Sequence, residues 1–179
     1  MPKLPFSKYA HSEIVAKVAE GMAAVNELNY YLELGTQRGA TFNKVRHFVS
    51  REAWGVDIEP YGDKLTDCRF FEMTTGEFFL HLEYPPQFDL IWIDACHTHK
   101  DSYHDFENAL PLVRDNGLIL MHDMHPISKE FSGDGACRDC WKTADKIKQN
   151  YSSVVEIATI PVYNGITIIR KTKKQVGWM

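Results

Sequence analysis

The chain of 179 residues lacks a hydrophobic run as long as the ~18 residues that a membrane-spanning helix needs. Its first residues, Met1-Pro2-Lys3-Leu4-Pro5, lack the apolar stretch of a secretory signal peptide. We therefore expect a cytoplasmic protein with no membrane partner. An excess of positive charge is missing as well, because the formal net charge is −4. A nucleic-acid partner is accordingly not expected.

Cysteine is scarce, with four residues at Cys68, Cys96, Cys137 and Cys140. In a reducing compartment these should be free thiols. Cys137 and Cys140 form a C-x-x-C motif, and His122 and His125 upstream leave a four-ligand zinc site open as an alternative. Redox chemistry is a second alternative. The pattern over 137–147 indicates an amphipathic helix, in which residues three apart share a face, so packing as small hydrophobic side chains is the favoured interpretation.

Two common nucleotide-binding motifs are also absent. The chain has neither the Gly-x-Gly-x-x-Gly of dinucleotide-binding folds nor the Gly-Lys-Ser/Thr of a P-loop. It has instead Glu33-Leu34-Gly35-Thr36-Gln37-Arg38-Gly39 at the end of a predicted strand. Such a glycine turn brings bare backbone and the positive end of the next helix up to a polar ligand. An ordinary strand-to-helix turn without a ligand is the alternative.

Short apolar segments alternate with longer helical patterns, which is typical of a parallel α/β sheet. We predict one domain over 1–179, with an N-terminal segment over 1–29 and a core over 30–170. The core is expected to be a Rossmann-like, doubly wound, seven-stranded and mostly parallel sheet with a C-terminal antiparallel hairpin. The predicted strands are 30–34, 53–57, 69–72, 88–94, 118–122, 154–160 and 165–170. The predicted helices are 12–28, 40–50, 75–81, 102–114 and 138–150, and the long loop 124–136 is a candidate lid.

Acidic or histidine residues follow each of the predicted parallel strands, where ligands bind in open α/β sheets. Asp57 ends the second strand, where a carboxylate can accept hydrogen bonds from both hydroxyls of a ribose. The alternative role for Asp57 is a cap of the turn that follows. The sequence therefore favours a nucleoside at this edge of the sheet.

Three further side chains follow two strands that we expect to be neighbours. Asp94 ends the fourth strand, and His122 and Asp123 end the fifth. Because adjacent strands lie ~4.8 Å apart, these side chains are expected to converge on one divalent metal. Mg²⁺ suits the two carboxylates, and a histidine ligand leaves room for Mn²⁺, Fe²⁺ or Zn²⁺. His97 is a candidate general base, because imidazole titrates near neutral pH.

Several stretches together resemble one branch of the class I S-adenosylmethionine-dependent methyltransferases, the small, often metal-dependent O-methyltransferases related to macrocin-type enzymes. They are the glycine turn, Ile93-Asp94-Ala95-Cys96-His97, Tyr103-His104-Asp105-Phe106-Glu107, Asn116-Gly117, His122-Asp123 and Gly135-Ala136-Cys137-Arg138-Asp139-Cys140-Trp141. The resemblance covers about residues 30–170. Ala95 and Cys96 depart from the usual Ile-Asp-Gly-Asp-His pattern.

This resemblance implies S-adenosyl-L-methionine as cofactor, a small hydroxylated molecule as methyl acceptor, and assistance by Mg²⁺ or another divalent metal in those members that use one. The cofactor residues that it implies are Glu33, Gly35, Thr36, Gln37, Gly39, Asp57, Met73 and Asp94. In the same way it implies Asp94, His122 and Asp123 as metal ligands. His97 corresponds to the catalytic base.

Two other functions stay open at this point. One is a protein of the same fold that binds a nucleoside cofactor without catalysis, or that acts only with a partner. The other is a metal-dependent hydrolase or hydroxylase with Asp94, His97 and His122 as ligands. The identity of the acceptor and the oligomeric state, a homo-oligomer included, also stay open.

Overall fold

The structure is a computed structural model that describes residues 10–133, 137–162 and 164–172. The strands are β1 (Tyr30–Leu34), β2 (Glu52–Asp57), β3 (Arg69–Glu72), β4 (Phe88–Ile93), β5 (Val113–Met121), β6 (Val155–Ile160) and β7 (Ile166–Lys171). The helices are α1 (Ala10–Ala24), α2 (Phe42–Arg46), α3 (Thr75–Leu80), α4 (His99–Leu112) and α5 (Lys142–Tyr151). No helix within the described ranges is both long enough and apolar enough to span a bilayer.

The strands form one seven-stranded sheet in the order β3-β2-β1-β4-β5-β7-β6. Strands β1 to β5 pair in parallel, and β7 pairs antiparallel with both β5 and β6. The predicted fold class is therefore confirmed, including the C-terminal hairpin and the neighbouring positions of β4 and β5. This order brings the carboxyl ends of the parallel strands to one edge of the sheet, where their terminal side chains meet.

Strand β4 lies at the centre of the sheet, as its apolar sequence predicts. All six of its residues are buried, which is typical of a parallel strand covered on both faces. Trp92 packs in a cluster with Tyr31 and Phe42, whereas Ile91 and Ile93 belong to a second cluster on the other face. The sheet therefore has a hydrophobic core on each side, and this rigid core carries the loops at its carboxyl edge.

Several element boundaries differ from the predicted ones. Helix α4 begins at His99 instead of 102, because the Thr98 side chain caps it by accepting a hydrogen bond from the Asp101 amide. Strand β5 begins at Val113, so the predicted turn at 115–117 lies inside the strand. Asn116 there has φ +62°, and the pairing with β4 shifts register, so the chain bends without leaving the sheet.

The remaining differences concern helix lengths and the long loop. Helix α2 covers five residues instead of 40–50, α1 ends at Ala24 instead of 28, and α5 begins at Lys142 instead of 138. Among its described residues, the predicted loop 124–136 contains a 3-10 turn at Lys129–Phe131. Its residues 134–136 lie outside the described ranges, as does Tyr163 in the hairpin connection.

Asp89 ties the first residues of β1 to the start of β5. Its Oδ2 accepts hydrogen bonds from the backbone amides of Asn29 (2.7 Å) and Tyr30 (2.8 Å), and its Oδ1 accepts one from Nε of Arg114 (2.5 Å). The carboxylate is almost fully buried. Its negative charge therefore compensates a guanidinium and two backbone donors that have lost water.

We expect Asp89→Asn to lower the free energy of unfolding by about 2 kcal/mol, because the partly buried Arg114 would keep its charge and retain only the more exposed Glu27 as a counter-ion. Urea denaturation followed by circular dichroism measures this. Glu156→Gln is the matched control, since Glu156 pairs with Arg170 on the exposed edge of the sheet and is expected to change stability by less than about 1 kcal/mol. Equal effects of the two substitutions would contradict the structural role of Asp89.

Candidate functional site

The glycine turn after β1 is in direct contact with the end of β4. Gly35 has φ +87°, and a Cβ atom built on it would lie 2.3 Å from the backbone oxygen of Asp94 and 2.7 Å from Cα of Ala95. Both neighbours are backbone atoms that no rotamer change can move. Only glycine fits this position, so the turn and the start of the Asp94 segment form one close-packed unit.

A cleft of about 580 Å³ opens at the carboxyl edge of the sheet. This volume is in the usual range of small-molecule sites. Its walls come from the turn after β1, the end of β2, the segment from β3 into α3, the end of β4, and α4. The lining residues are Gly35, Gln37, Val56, Asp57, Ile58, Glu59, Met73, Thr74, Thr75, Gly76, Asp94, Ala95, Cys96, Asp101, His104 and Asp105.

Five of the predicted cofactor residues line this cleft: Gly35, Gln37, Asp57, Met73 and Asp94. The other three, Glu33, Thr36 and Gly39, do not line it, and direct contact of these with a cofactor stays a prediction. Glu33 is buried behind the turn in hydrogen-bond contact with the hydroxyl of Tyr31. Burial raises the pKa of Glu33 well above its usual range, although the bond to Tyr31 opposes this.

Asp57 organises the floor of the cleft. Its Oδ2 accepts a hydrogen bond from the amide of Gln37 (2.7 Å), and its Oδ1 accepts one from the amide of Glu59 (2.9 Å). The second bond matches the predicted alternative, in which Asp57 caps the turn that follows. A carboxylate has about four lone-pair sites, so two remain for further donors such as ribose hydroxyls. The capping role and a ligand role are therefore compatible.

Four ionisable side chains converge beside the cleft at the ends of β4 and β5. His97 Nδ1 lies 2.5 Å from Asp123 Oδ2, in an ion-pair contact where the ring N–H and the oxygen are not well aligned. His97 Nε2 lies 4.0 Å from Asp94 Oδ1. His122 Nδ1 lies 3.2 Å from the same Asp94 oxygen and 3.6 Å from Asp123 Oδ1. The predicted convergence of these strand ends is present.

This cluster has the donor set of a cation site. One ligand atom each of Asp94, His97 and Asp123 lies within 4.8 Å of the others, and this is the group of possible metal ligands among the described residues. His122 was predicted as the third ligand. In the structure its Nδ1 contacts the carboxylates of both Asp94 and Asp123. The two carboxylate oxygens suit Mg²⁺, and a histidine ligand leaves room for Mn²⁺, Fe²⁺ or Zn²⁺. The choice between His97 and His122 as ligand stays a prediction.

The carboxylates set the protonation of His97. The contact with Asp123 raises the pKa of His97 above its ordinary value, against the effect of burial. Burial opposes ionisation of Asp123, yet His97 and His122 together hold the pKa of this carboxyl below its usual range. The contact of Nδ1 with Asp123 favours a proton on that nitrogen, which leaves Nε2 as the proton acceptor.

The two C-x-x-C thiols support the same carboxylate. Cys137 and Cys140 are buried free cysteines. Cys137 Sγ donates to Asp123 Oδ1 (3.4 Å), and Cys140 Sγ donates to the Asp123 backbone oxygen (3.2 Å). Burial raises the pKa of both thiols, that of Cys140 to about 12. Within the described part of the chain they join no group of metal ligands with His125, so the packing interpretation fits the structure best.

His11 at the start of α1 was not predicted as a site residue. Its ring lies against that of His122, with centroids 4.4 Å apart, and is parallel to Trp92 at 6.2 Å. Burial and the neighbouring His122 lower the pKa of His11. No local sequence signal could have found it, because the contact depends on how α1 packs across the end of the sheet.

Asp105 on α4 is a second residue whose role sequence reasoning missed. It lines the cleft although only 1% of its surface is exposed. Burial raises the pKa of Asp105 to about 6. The negative charge of Asp101 raises this pKa further, whereas the Thr75 hydroxyl and His104 lower it. Its place in the stretch 103–107 was visible in the sequence, but its direction toward the cleft was not.

We expect this raised pKa to make Asp105 destabilising at neutral pH. Below the pKa that Asp105 has in the unfolded chain, its carboxyl is protonated in both the folded and the unfolded state. As the pH rises toward about 6, the unfolded chain releases this proton first, so folding becomes less favourable. Relative to Asp105→Asn, wild type should therefore lose about 2 kcal/mol of stability between about pH 4.5 and about pH 7.5. Urea denaturation across this range tests it, with the exposed Asp115→Asn as control. A constant difference between wild type and Asp105→Asn would contradict it.

The fold agrees with the comparisons with known proteins. A family model described as a methyltransferase domain matches residues 32–124, just over half of the chain. The chain therefore belongs to this family of class I S-adenosylmethionine-dependent methyltransferases, as the sequence resemblance implied. Among curated proteins none matches the chain significantly.

Solved structures show the same fold at low sequence identity. A protein from Corynebacterium glutamicum is 13% identical with a TM-score of 0.71, over 98% of this chain and 94% of that one. The O-methyltransferase TomG from Streptomyces achromogenes, solved with S-adenosylmethionine, is 14% identical with a TM-score of 0.67, over 97% and 84%. The mycinamycin-pathway methyltransferase MycE, solved with Mg, S-adenosylhomocysteine and mycinamycin VI, is 18% identical with a TM-score of 0.65, over 91% and 50%.

Proposed function

We propose that the protein transfers the methyl group of S-adenosyl-L-methionine to an oxygen of a small hydroxylated acceptor, with His97 as the general base. The observation that carries this proposal is the adjacency of the cleft and the ionisable cluster. Asp94 belongs to both, since it lines the cleft and also contacts His97 and His122. A methyl donor bound in the cleft and a methyl acceptor bound at the ionisable cluster would therefore lie on either side of Asp94.

The cleft suits the elongated and polar cofactor. The sheet order places Asp57, at the end of β2, between the turn at Gly35 and the Met73 segment after β3. Gly35 offers bare backbone to the amino-acid part, Asp57 has acceptor capacity for a ribose, and Met73 gives an apolar contact for a base. When bound, the cofactor supplies an electrophilic methyl group on a sulfonium.

The residues of the cluster prepare the acceptor oxygen. With its proton on Nδ1 toward Asp123, His97 presents Nε2 as the base that takes the proton of the acceptor hydroxyl. Asp123 then stabilises the imidazolium that forms. General-base assistance of this kind contributes about 10²- to 10⁴-fold to a rate, and positioning of the two reactants contributes further.

The same residues fit a divalent metal, because carboxylate and imidazole ligand atoms lie close enough to share one ion. Asp94 and Asp123 would hold it, with His97 or His122 as a third ligand. A bound metal would lower the pKa of an acceptor hydroxyl and fix its orientation. Of the similar structures, MycE was solved with Mg, which supports a test of this ion first.

Calorimetric titration with S-adenosylhomocysteine, in Mg²⁺ and then in EDTA, tests the cofactor assignment. We expect saturable binding in both buffers and a larger affinity or heat in Mg²⁺, because the carboxylates of the cluster border the cleft. A parallel titration with NAD serves as the control ligand and is expected to show no binding. Absence of binding to S-adenosylhomocysteine in every buffer would contradict the proposal and favour a metal-only enzyme.

A further inference from the structure

A second pocket, of about 510 Å³, shares none of its described lining residues with the cleft at Gly35. Its walls come from the segment 124–132 after β5, from one side of α5 and from Thr159 on β6. Thr159 pairs with Thr167 on β7, and Thr167 pairs with Met121 at the end of β5. The pocket therefore lies at the level of the ionisable cluster, about 10 Å away across two strand spacings.

The second pocket and the ionisable cluster have neighbouring residues in their walls. Met124 lines the pocket and directly follows Asp123 in the chain. Trp141 also lines the pocket and directly follows Cys140, whose Sγ donates a hydrogen bond to the Asp123 backbone oxygen (3.2 Å). A molecule that lies in the pocket and extends past Met124 would therefore reach the cluster.

Two lysines give the second pocket an excess of positive charge. Lys129 comes from the segment after β5, and Lys148 comes from α5. Both are exposed, and neither forms an ion pair with a carboxylate in the described part of the chain, whereas Lys142 on the same helix pairs with Asp139 (3.3 Å). Asp145 is the carboxylate among the described lining residues, so two lysines face one acidic group.

The remaining surface of the pocket suits the body of a small organic molecule. The half-buried ring of Trp141 and the buried side chain of Met124 offer apolar contacts for a ring. Apolar walls with a few charged groups are typical of small-molecule sites. A single positive charge in excess matches one carboxylate better than the double charge of a phosphate group. The pocket is therefore complementary to an organic acid that contains a ring.

We propose that the methyl acceptor is a hydroxylated organic acid whose carboxylate binds between Lys129 and Lys148 while its hydroxyl reaches the ionisable cluster. This inference rests on the proposed function, because it names the class of acceptor for the same reaction. The acceptor hydroxyl gives its proton to His97, and its oxygen bonds the methyl carbon as the carbon–sulfur bond breaks and sulfur keeps the electron pair. The distance of about 10 Å sets the length of the acceptor.

Three catechol acids of increasing length, each compared with its own primary amide, test this proposal. They are protocatechuate, homoprotocatechuate and dihydrocaffeate, in which the carboxylate lies successively farther from the ring. Calorimetric titration into the complex with S-adenosylhomocysteine measures binding, and initial rates with S-adenosylmethionine measure KM and kcat. We expect wild type to bind dihydrocaffeate roughly 5- to 30-fold more tightly than its amide, as two exposed ion pairs allow. The difference should appear in KM, and it should be smallest for protocatechuate.

Substitutions in the pocket should change this preference in opposite directions. Lys129→Gln and Lys148→Gln should each lower the affinity for dihydrocaffeate by about 2- to 5-fold, and the double variant should lose the preference for the acid. Asp145→Asn removes the opposing charge and should raise that affinity by about 2- to 5-fold, with no change for the amide. Lys146→Gln is the matched control, since Lys146 is exposed on the same helix and does not line the pocket.

The outcomes separate this inference from the function on which it rests. If wild type does not bind S-adenosylhomocysteine in any buffer, the proposed function fails and the inference fails with it. If that ligand binds but each acid and its amide bind equally, or if the double lysine variant keeps the preference, the cofactor assignment stands and the acceptor class is overturned. Binding of the acids without their methylation by wild type would also overturn it.

Discussion

Gly35→Ala is expected to abolish binding of S-adenosylhomocysteine, with an affinity at least about 100-fold lower, or about 2.7 kcal/mol. The added Cβ would lie 2.3 Å from the Asp94 backbone oxygen, and the backbone at φ +87° would itself be strained. The turn must therefore separate from the end of β4, and this is the place where the cleft begins. The same separation should lower the free energy of unfolding by at least about 2 kcal/mol. Calorimetric titration and urea denaturation measure the two effects.

Gly21→Ala is the matched control for this substitution. Gly21 lies on α1, and a Cβ built there has nothing within 4 Å. Alanine is the better helix former, so this variant should be as stable as wild type or more stable by up to about 1 kcal/mol. Its affinity for S-adenosylhomocysteine should be unchanged. Wild-type affinity in Gly35→Ala would show that the ligand does not depend on the contact between the turn and β4.

The sheet and the residues at its carboxyl edge could be predicted, because the residue pattern of each strand agrees with the place of that strand in the sheet. The fourth strand is apolar on both faces from Leu90 to Ile93, which is typical of a central parallel strand, and all six of its residues are buried. Once β4 and β5 are neighbours, Asp94 and His122 must lie close together, and they do. Such predictions need only the order of the strands along the chain and the fixed distance between neighbouring strands. The sequence pattern indicates the first, and sheet geometry gives the second.

The parts that could not be predicted depend on contacts between distant elements. The direction of Asp105 depends on how α4 packs against α3, and the contact of His11 with His122 depends on how α1 crosses the end of the sheet. The link from Cys137 to Asp123 joins the start of the α5 segment to the end of β5. In the sequence each of these residues looks like an ordinary surface or packing residue. Its polarity and its place in a helical repeat do not show which distant residue it will contact.

The continuous strand β5 is an instructive difference of another kind. Asp115-Asn116-Gly117 has the composition of a turn, and asparagine adopts the left-handed conformation at Asn116 as a turn would require. Pairing with β4 on one side and with β7 on the other nevertheless holds the rest of the strand in the sheet. The local turn signal was thus correct about the backbone conformation and wrong about the element, because the tertiary pairing determines whether a kink ends a strand.

His97→Gln is expected to lower the rate of methyl transfer by about 10²- to 10⁴-fold, while the affinity for S-adenosylhomocysteine stays within about 2-fold. Glutamine can occupy the space of the imidazole and contact Asp123, but it cannot take a proton from an acceptor hydroxyl. His97 does not line the cleft, so the cofactor contacts should be preserved. The measurement is transfer of a labelled methyl group to catechol and sugar acceptors, with single-turnover rates on whichever acceptor wild type methylates.

A metal titration decides between the two roles that the geometry allows for His97. The residue belongs to the group of possible ligands with Asp94 and Asp123, and it is also the candidate base. Mn²⁺ binding followed by electron paramagnetic resonance should be unchanged in His97→Gln if His97 acts as the base, and should weaken in His122→Gln if His122 is the histidine ligand. The exposed His47→Gln is the control and should change neither rate nor metal affinity. Undiminished turnover in His97→Gln, or a loss of Mn²⁺ affinity that accompanies the loss of rate, would contradict the assignment of His97 as the base.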